Sequence, residues 1–330
     1  MAAETEGGRR ALITGITGQD GSFLAELLLA KGYRVAGLVR RSSAETLGAA
    51  EHLRGQLELV RGELLDGDSL RRAVERLRPD ELYHLASPSF VPESWQRPAQ
   101  TLAAIAGSTA ALLEAVRDRS DHTRVFVASS GAIFGAGGES PQREDSRCRP
   151  QTPYATAKLA AHQLVGQFRA RHGLFAATGI LYNHESERRP EWFVSRKITR
   201  AAVAIKAGVA DELALGDLEA VRDWSFAGDI VHGAWLMLQQ PRAEDFILAS
   251  GTRHTVAELA ELAFERVGLD ARDHIRVDQS LVRSAEPMPL VGDPRHARER
   301  LGWSPALSFE QLIRRMVDAD LRSLAGRQLA

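Results

Sequence analysis

The first half of the chain alternates short apolar runs with stretches in which apolar residues recur at the helical period. RALITGI (10–16) and YRVAGLVR (33–40) predict strands, and SFLAELLLAKG (22–32) predicts an amphipathic helix that ends at Gly32. The same alternation continues in LELVRGEL (57–64), SLRRAVERLRPD (69–80), ELYHLAS (81–87), TLAAIAGSTAALLEAVRDR (101–119) and TRVFVASS (123–130). Strands and helices joined by short loops indicate a parallel sheet covered on both faces, which is a doubly wound α/β domain.

The pattern loosens from about residue 181, where YNHESERRPEWFV (182–194) is polar and irregular. Further helices and one strand are predicted in SRKITRAAVAIKAG (195–208), DWSFAGDIVHGAWLMLQQ (223–240), EDFILASG (244–251), TVAELAELAFERVG (255–268) and SFEQLIRRMVDADLRSL (308–324). We therefore predict a nucleotide-binding Rossmann domain formed by residues 1–181 and 226–254. A smaller, discontinuous α/β domain for the substrate is predicted in residues 182–225 and 255–330.

Composition and charge narrow the kind of partner. The chain has 44 % hydrophobic and 26 % charged residues and a formal net charge of -1, which argues against nucleic acid or a membrane surface as partner and favours a small molecule. Cys148 is the single cysteine, so an intramolecular disulfide and a multi-cysteine zinc site are excluded. With no recognisable signal peptide and no apolar run of the ~18 residues that span a membrane, we expect a cytoplasmic protein.

A glycine-rich loop, TGITGQDG (14–21), lies between the first predicted strand and the first predicted helix. Gly15, Gly18 and Gly21 permit a tight turn, close approach of the backbone to a pyrophosphate, and close packing of helix on strand. The helix start also offers unpaired N–H groups to a phosphate. An ordinary glycine turn is the alternative, but the position between strand and helix favours a dinucleotide site.

The end of the second predicted strand bears on the choice of cofactor. A carboxylate there favours NAD, whereas arginine accommodates the 2′-phosphate of NADP. This chain has Arg40, Arg41, Ser42 and Ser43, which favours NADP over NAD unless these arginines are merely solvated. We expect NADP or NAD as a tightly bound cofactor that is recycled during the reaction.

Tyr154 and Lys158 lie four residues apart at the start of a predicted helix, so both side chains share one face. A phenol titrates near ~10, and a nearby ammonium favours the phenolate, which makes the pair a proton acceptor for a sugar hydroxyl. Ser130, at the end of the strand upstream, supplies a hydroxyl beside the phenol. A solvated surface pair is the alternative, and the glycine loop together with Ser130 argues against it.

With these motifs the sequence resembles the extended short-chain dehydrogenase/reductase family (NAD-dependent epimerase/dehydratase), and within it the GDP-mannose 4,6-dehydratases. The resemblance covers nearly the whole chain. It is carried by ALITGITGQDGSFLAELLLAKGY (11–33), LVRRSS (38–43), PYATAKLAAHQLV (153–165), GILYNHESERRPEWFVSRKITRA (179–201), LGDLEAVRDWSFAGDIVHGAWLML (215–238) and LVGDPRHARERLGWSPALSFEQLIRRMV (290–317).

The resemblance implies roles for individual residues. Catalysis falls to Ser130, Tyr154 and Lys158. Cofactor contacts fall to Gly15, Thr17, Gly18, Gln19, Asp20, Gly21, Arg40, Arg41, Ser42, Ser43, Leu65, Asp66, Leu85, Ala86, Tyr154 and Lys158. Contacts to a nucleotide-diphosphate sugar fall to Ser87, Ser130, Asn183, Arg188, Val194, Lys197, Leu215, Arg222, Arg283 and Glu286. The resemblance also implies a homo-oligomer, a dimer or a tetramer, and no metal is expected.

One segment departs from the family pattern. ASSGAIFG (128–135) keeps Ser130, but Gly131 and Ala132 replace a Ser or Asp and the glutamate that removes the sugar C5 proton in the dehydratases, and Phe134 replaces a tyrosine. Glu63 stands where an aspartate near the adenine is usual, and Phe90 stands where a histidine is common. The site therefore lacks a carboxylate that dehydration uses in the family.

Family members begin by oxidising the sugar at C4, and the fate of the resulting ketone depends on other groups. Elimination of water needs a base for C5, whereas epimerisation at C4 does not, so the sequence favours an epimerase that acts on a GDP- or UDP-linked sugar through a transient 4-keto intermediate. Alternatives are a GDP-mannose 4,6-dehydratase in which His184, Glu185 or Ser87 replaces the base, and a 4-keto-sugar reductase. A nucleotide-sugar-binding regulatory protein is the non-enzymatic alternative.

Overall fold

Parallel strands form the centre of the protein in the computed structural model, which describes residues 8–40, 46–135, 139–282 and 290–328. In chain order the strands are β1 (Arg10–Thr14), β2 (Arg34–Val39), β3 (Glu58–Arg61), β4 (Glu81–His84), β5 (Arg124–Ala128), β6 (Ala176–Leu181), β7 (Asn183–Glu185), β8 (Leu213–Leu215), β9 (Val221–Arg222), β10 (Trp224–Phe226), β11 (Phe246–Leu248), β12 (His254–Thr255) and β13 (Ile275–Val277).

In the described part of the chain, seven of these strands build one sheet in the order β11-β6-β5-β4-β1-β2-β3, and all neighbours are parallel. The order reverses between β1 and β4, and in such sheets ligands bind at the carboxyl ends of the strands beside this switch point. The prediction of a doubly wound Rossmann sheet is confirmed. Its strands read as apolar runs because both faces are covered.

Helices cover the sheet and form the second lobe. They are α1 (Gln19–Ala30), α2 (Gly67–Leu77), α3 (Glu93–Gln96), α4 (Pro98–Leu102), α5 (Ser108–Arg119), α6 (Pro153–His172), α7 (Val194–Lys206), α8 (Ala227–Gln239), α9 (Val256–Arg266), α10 (Arg295–Leu301) and α11 (Phe309–Gln328). The single helix predicted over 101–119 is in fact α4 and α5 joined by a π-helical turn at Ala103–Gly107. Helix α1 begins at Gln19, inside the glycine-rich loop, and not at residue 22.

Apolar side chains pack in separate clusters. Leu28 of α1 and Ile230 of α8 lie against one face of the sheet, and Leu113 of α5 and Val165 of α6 lie against the other. A further cluster around Phe264 joins α7, α9 and α11, away from the sheet. Each fully buried side chain of this size contributes about 1.5–3 kcal/mol. The exact domain boundaries stay a prediction.

One helical stretch corrects an expectation from the sequence. Within the described residues, 98–119 is long and apolar enough to pass a length-and-composition test for a membrane span, although no such stretch was expected. In this stretch 56 % of the apolar window is buried inside the protein, as in a core helix, and a single helix of this kind is weak evidence for a membrane span.

Candidate active site

A large cavity opens at the carboxyl ends of β1, β4 and β5, beside the switch point, and has a volume of about 1260 Å³. Most of the predicted site residues line it: Gly15, Thr17, Gly18, Gln19, Asp20, Gly21, Arg40, Leu65, Leu85, Ala86, Ser87, Ser130, Tyr154, Lys158, Asn183, Val194, Lys197, Leu215 and Arg222. Arg41, Ser42, Ser43, Arg283 and Glu286 lie outside the described residues. The fold thus brings together two distant halves of one site.

The glycine-rich loop has the geometry of a phosphate cradle. Gly15 has φ +79°, and a Cβ on it would lie 2.9 Å from the backbone nitrogen of Ala86. A Cβ on Gly21 would lie 2.2 Å from the carbonyl oxygen of Gly15. Gly18 is the N-cap of α1, and no side chain caps this helix, so its first N–H groups are available to a phosphate. These features fit a bound dinucleotide.

Past the second strand, the wall of the cavity carries Arg40, Glu63 and Leu65. Asp66, a predicted cofactor contact, is instead the N-cap of α2 and accepts a hydrogen bond from Ser69 N at 3.0 Å. It is not among the residues that line the cavity. An aspartate before a helix fits either role in the sequence, and here its carboxylate satisfies a free N–H of the first turn.

Ser130, Tyr154 and Lys158 converge at the end of β5. The Ser130 Oγ accepts a hydrogen bond from the Ala132 N–H at 3.2 Å and also lies in hydrogen-bonding contact with the Tyr154 phenol. Lys158 is 5 % exposed, and its Nζ donates to the carbonyl oxygen of Ala128 at 2.7 Å. The predicted catalytic trio is therefore assembled in one place.

The titration of these groups differs in part from the expectation. Burial raises the pKa of Tyr154 above its ordinary value, although the hydrogen bond with Ser130 and the charge of Arg189 act to lower it. Burial lowers the pKa of Lys158 to about 8, while the charge of Asp20 acts to raise it. The Lys158 Nζ lies 5.8 Å from the centroid of the Tyr154 ring. Lys158 therefore does not bring the phenol into the neutral range, and Arg189 is the cation whose charge acts to lower the pKa of the phenol.

Positions 131 and 132 lack the polar residues of the family, and the structure shows what surrounds them. A Cβ on Gly131 would lie 2.9 Å from Cζ of Tyr182, whose hydroxyl donates to Oε1 of Gln142 at 2.8 Å. No side chain fits at position 131 without moving this ring. Ala132 already carries a Cβ and, like Gly131, lines the cavity.

The substrate half of the cavity lies toward the second lobe. The Nζ of Lys197 donates to the carbonyl oxygen of Ala214 at 2.6 Å, which places its charge at the cavity wall beside Leu215. Arg222, on β9, donates to the carbonyl oxygen of Val221 at 2.7 Å. Guanidinium and ammonium groups at this wall suit a diphosphate.

Arg188 and Arg189 are adjacent in the chain, and of these two only Arg189 lines the cavity. Arg188, predicted to contact substrate, does not line the cavity: its guanidinium pairs with Oε1 of Glu26 at 2.6 Å and stacks 4.0 Å over the ring of Phe23. Arg189, which the sequence reasoning missed, lines the cavity. Its Nε lies 3.1 Å from the Glu185 carboxylate. The sequence marks the Arg-Arg pair but not which member turns inward.

The fold and this site define an enzyme of the NAD-dependent epimerase/dehydratase family within the extended short-chain dehydrogenases/reductases, with NADP or NAD as cofactor. A family model described as "GDP-mannose 4,6 dehydratase" matches residues 12–316, and the chain belongs to this family. A curated relative, "GDP-mannose 4,6 dehydratase 1" of Arabidopsis thaliana, is 44 % identical over 96 % of this chain and 91 % of its own length.

A bacterial relative and a solved structure agree with this family. "GDP-mannose 4,6-dehydratase" of Yersinia enterocolitica is 40 % identical over 95 % of this chain and 94 % of its own length. The structure of RMD from Pseudomonas aeruginosa with NADPH superposes with a TM-score of 0.81 at 26 % identity, covering 96 % of this chain and 99 % of that one. The interpretation as an epimerase is wrong, because the curated relatives of this similarity are named dehydratases.

Proposed function

We propose that the protein is a GDP-mannose 4,6-dehydratase that oxidises the sugar at C4 and then eliminates water across C5 and C6. The observation that carries the proposal is the cavity in which Ser130, Tyr154 and Lys158 face the glycine-rich cradle. The dehydratase names of the relatives support GDP-mannose as the substrate. Arg40 supports NADP over NAD.

In the first step the phenol of Tyr154 accepts the proton of the sugar O4. Ser130 orients this proton transfer by its hydrogen bond to the phenol, and the charge of Arg189 acts to lower the pKa of the phenol. In this proposal the Lys158 ammonium, held by the carbonyl oxygen of Ala128, also favours the phenolate. Bound NADP or NAD supplies the acceptor for the C4 hydride and, after elimination, the donor for C6. The residues of the chain thus need to move only protons.

Elimination requires a base for the C5 proton, and Ala132 does not supply one. Of the three substitutes considered from the sequence, Glu185 is bonded by Ser195 and paired with Arg189, and His184 has both ring nitrogens engaged. Ser87 lines the cavity, but a hydroxyl is a poor base near neutral pH. A carboxylate elsewhere on the wall is the better candidate.

We propose Glu93 as that base. It lines the cavity at the start of α3, and α3 packs against α6, which carries Tyr154. Among the described contacts its carboxylate has no hydrogen bond or ion pair, so it is available to accept a proton. In this assignment the C5 proton passes to Glu93, which then gives it to the C6 hydroxyl, and that hydroxyl leaves as water.

Turnover of GDP-mannose tests the function. We expect the protein with NADP to convert GDP-mannose into a product that has lost one water, as read by mass spectrometry and NMR. Tyr154→Phe should abolish this reaction, while Glu93→Gln should lower it by about 10²-fold or more without preventing reduction of the cofactor. An unchanged sugar, or a product of the same mass, would contradict the proposal.

The second candidate is a 4-keto-sugar reductase, and Ala132 is the observation that favours it, because reduction of a ketone needs no base at C5. Such an enzyme releases oxidised cofactor in every turnover. Stoichiometric consumption of added NADPH with a GDP-4-keto-sugar, combined with no loss of water from GDP-mannose, would select this function over dehydration.

A further inference from the structure

Asp20 and His184 form an ion pair on the wall of the cavity. His184 Nε2 lies 2.8 Å from Oδ2 of Asp20, and the two side chains are only 12 % and 23 % exposed, His184 the lower. The other ring nitrogen, Nδ1, lies 2.7 Å from the carbonyl oxygen of Tyr182. A carbonyl oxygen and an ionised carboxylate only accept hydrogen bonds, so both ring nitrogens must donate. This geometry requires the doubly protonated imidazolium.

The pair joins the two halves of the site. Asp20 is the second residue of α1, inside the glycine-rich loop, and His184 is on β7, in the segment that carries predicted substrate contacts. Gln19 reinforces the junction: its Nε2 donates to the carbonyl oxygen of His184 at 3.1 Å, and its Oε1 accepts from the Ser186 hydroxyl at 2.7 Å. Both ionised groups also line the cavity.

The charged and titratable groups that face this pair are Arg189 on the loop after β7, and Tyr154 and Lys158 on α6. Burial acts to raise the pKa of Asp20, but His184 and the hydrogen bonds outweigh burial and hold it below its ordinary value. Burial acts to lower the pKa of His184, but the interactions with Asp20 outweigh burial, and this pKa is raised above its ordinary value. The Asp20 charge in turn raises the pKa of both Lys158 and Tyr154.

We propose that Asp20 and His184 are positioning residues for proton transfer from the sugar O4. His184 is held as an imidazolium, and the two opposite charges of the pair act together on Lys158 and Tyr154. The carboxylate keeps Lys158 charged, and the imidazolium limits the field that the same carboxylate exerts on the phenol. The part of this assignment that concerns O4 rests on the proposed function; the protonation of His184 does not.

Histidine NMR tests the protonation state without any substrate. In protein labelled with ¹⁵N at histidine, the His184 signals are identified by their absence from His184→Gln. We expect both ring nitrogens of His184 to show imidazolium shifts well above pH ~6.5, where an ordinary imidazole is neutral, and to lose them in Asp20→Asn. A neutral imidazole in the wild-type protein at such pH would overturn the proposal, whether or not GDP-mannose is turned over.

The pH dependence of cofactor reduction by GDP-mannose tests the role. Asp20→Asn removes the carboxylate and, with it, the second proton of His184, so the net charge of the pair stays at zero and the alkaline limb of the profile should lie near that of the wild type. Removing the imidazolium in His184→Gln leaves Asp20 uncompensated and should move the same limb to higher pH. The double variant has neither charge, and its limb should return toward that of the wild type.

Glu258→Gln is the matched control, because His254 and Glu258 form a pair of the same 2.8 Å distance that does not line the cavity. Its profile should be that of the wild type. A limb of His184→Gln that does not move, or that moves to lower pH, would show a purely structural role and overturn the proposal. The NMR spectrum identifies a single variant that misfolds. In that case the pH profile of the double variant decides between a positioning role and a purely structural one.

Discussion

Gly131 and Ala132 are neighbours at the end of β5, yet they differ in the space around them. Both line the cavity, but the ring of Tyr182 closes position 131 to any side chain, while Ala132 already places a Cβ there. The Tyr182 hydroxyl is tied to Gln142, which also accepts from the Val291 N–H at 3.0 Å, so the ring cannot move without disturbing that contact. The missing carboxylate therefore reflects the residue at position 132 and not a loss of the cavity around it.

A glutamate restored at position 132 directly tests this difference between the two positions. Ala132→Glu places a carboxylate on the open wall, and we expect it to raise the rate of water loss from GDP-mannose, by up to about 10²-fold, because a positioned base contributes that much or more. Single-turnover mass spectrometry measures the rate.

Gly131→Ala is the control for Ala132→Glu. Its new Cβ would meet the Tyr182 ring at 2.9 Å, so we expect it to lower the free energy of unfolding by about 1–3 kcal/mol without raising that rate. Equal effects of the two substitutions on catalysis would contradict the difference between the two positions.

In the proposed reaction we expect Lys158 to set the upper pH limit of the first step. Its pKa is lowered by burial to about 8, so the ammonium that supports the phenolate is lost as the pH rises through that value. We expect the rate of cofactor reduction in a single turnover to fall above about pH 8. Lys158→Arg, whose guanidinium stays charged, should remove this limb while lowering the rate itself. A profile that stays level up to the ordinary lysine pKa of 10.5 would be incompatible with this assignment.

At the scale of elements, helix α6 places two of the proposed catalytic side chains. Its N-cap is Thr152, whose hydroxyl accepts a hydrogen bond from the Ala155 N–H at 3.1 Å, and Pro153 occupies the first helical position. The helix thus begins one residue before Tyr154, and the spacing of four puts Lys158 one turn further on the same face. Gly173, with φ +67°, ends it.

The cap of α6 gives a prediction that links stability to catalysis. Thr152→Ala removes the capping oxygen, so we expect the free energy of unfolding to fall by about 1 kcal/mol and kcat to fall with it, because Tyr154 lies in the first turn. Thr152→Ser keeps the oxygen and serves as the control. Urea unfolding and steady-state kinetics measure the two effects, and equal values for Ala and Ser would argue against a capping role.

At the scale of the whole molecule, the sheet was predictable because its strands are buried on both faces and read as apolar runs, as in RALIT and RVFVA. The glycine-rich loop, Ser130, Tyr154 and Lys158 were recognisable from their patterns. These are glycines spaced between a strand and a helix, a serine at the end of a strand, and a Tyr-Lys pair four residues apart. A π-helical turn was not, since the periodicity of 101–119 hardly changes when one turn widens.

Side-chain direction was the other limit. Sequence alone does not show that Arg188 turns to Glu26 while Arg189 turns to the cavity, nor that Asp66 caps a helix. The reaction was predicted wrongly because one absent carboxylate was given more weight than the similarity of the whole chain to named dehydratases. Position 132 shows which carboxylate is missing, whereas Glu93, the replacement that we propose, lies on another element, α3.

In the proposed reaction, one cavity carries hydrogen from C4 to C6 of the same sugar while water leaves. GDP-mannose labelled with deuterium at C4, incubated with the protein and a catalytic amount of NADP, measures this most directly. We expect a product that has lost one water and carries the deuterium at C6, and no such product from Tyr154→Phe. A product that keeps its water, or deuterium that remains at C4, would contradict the account.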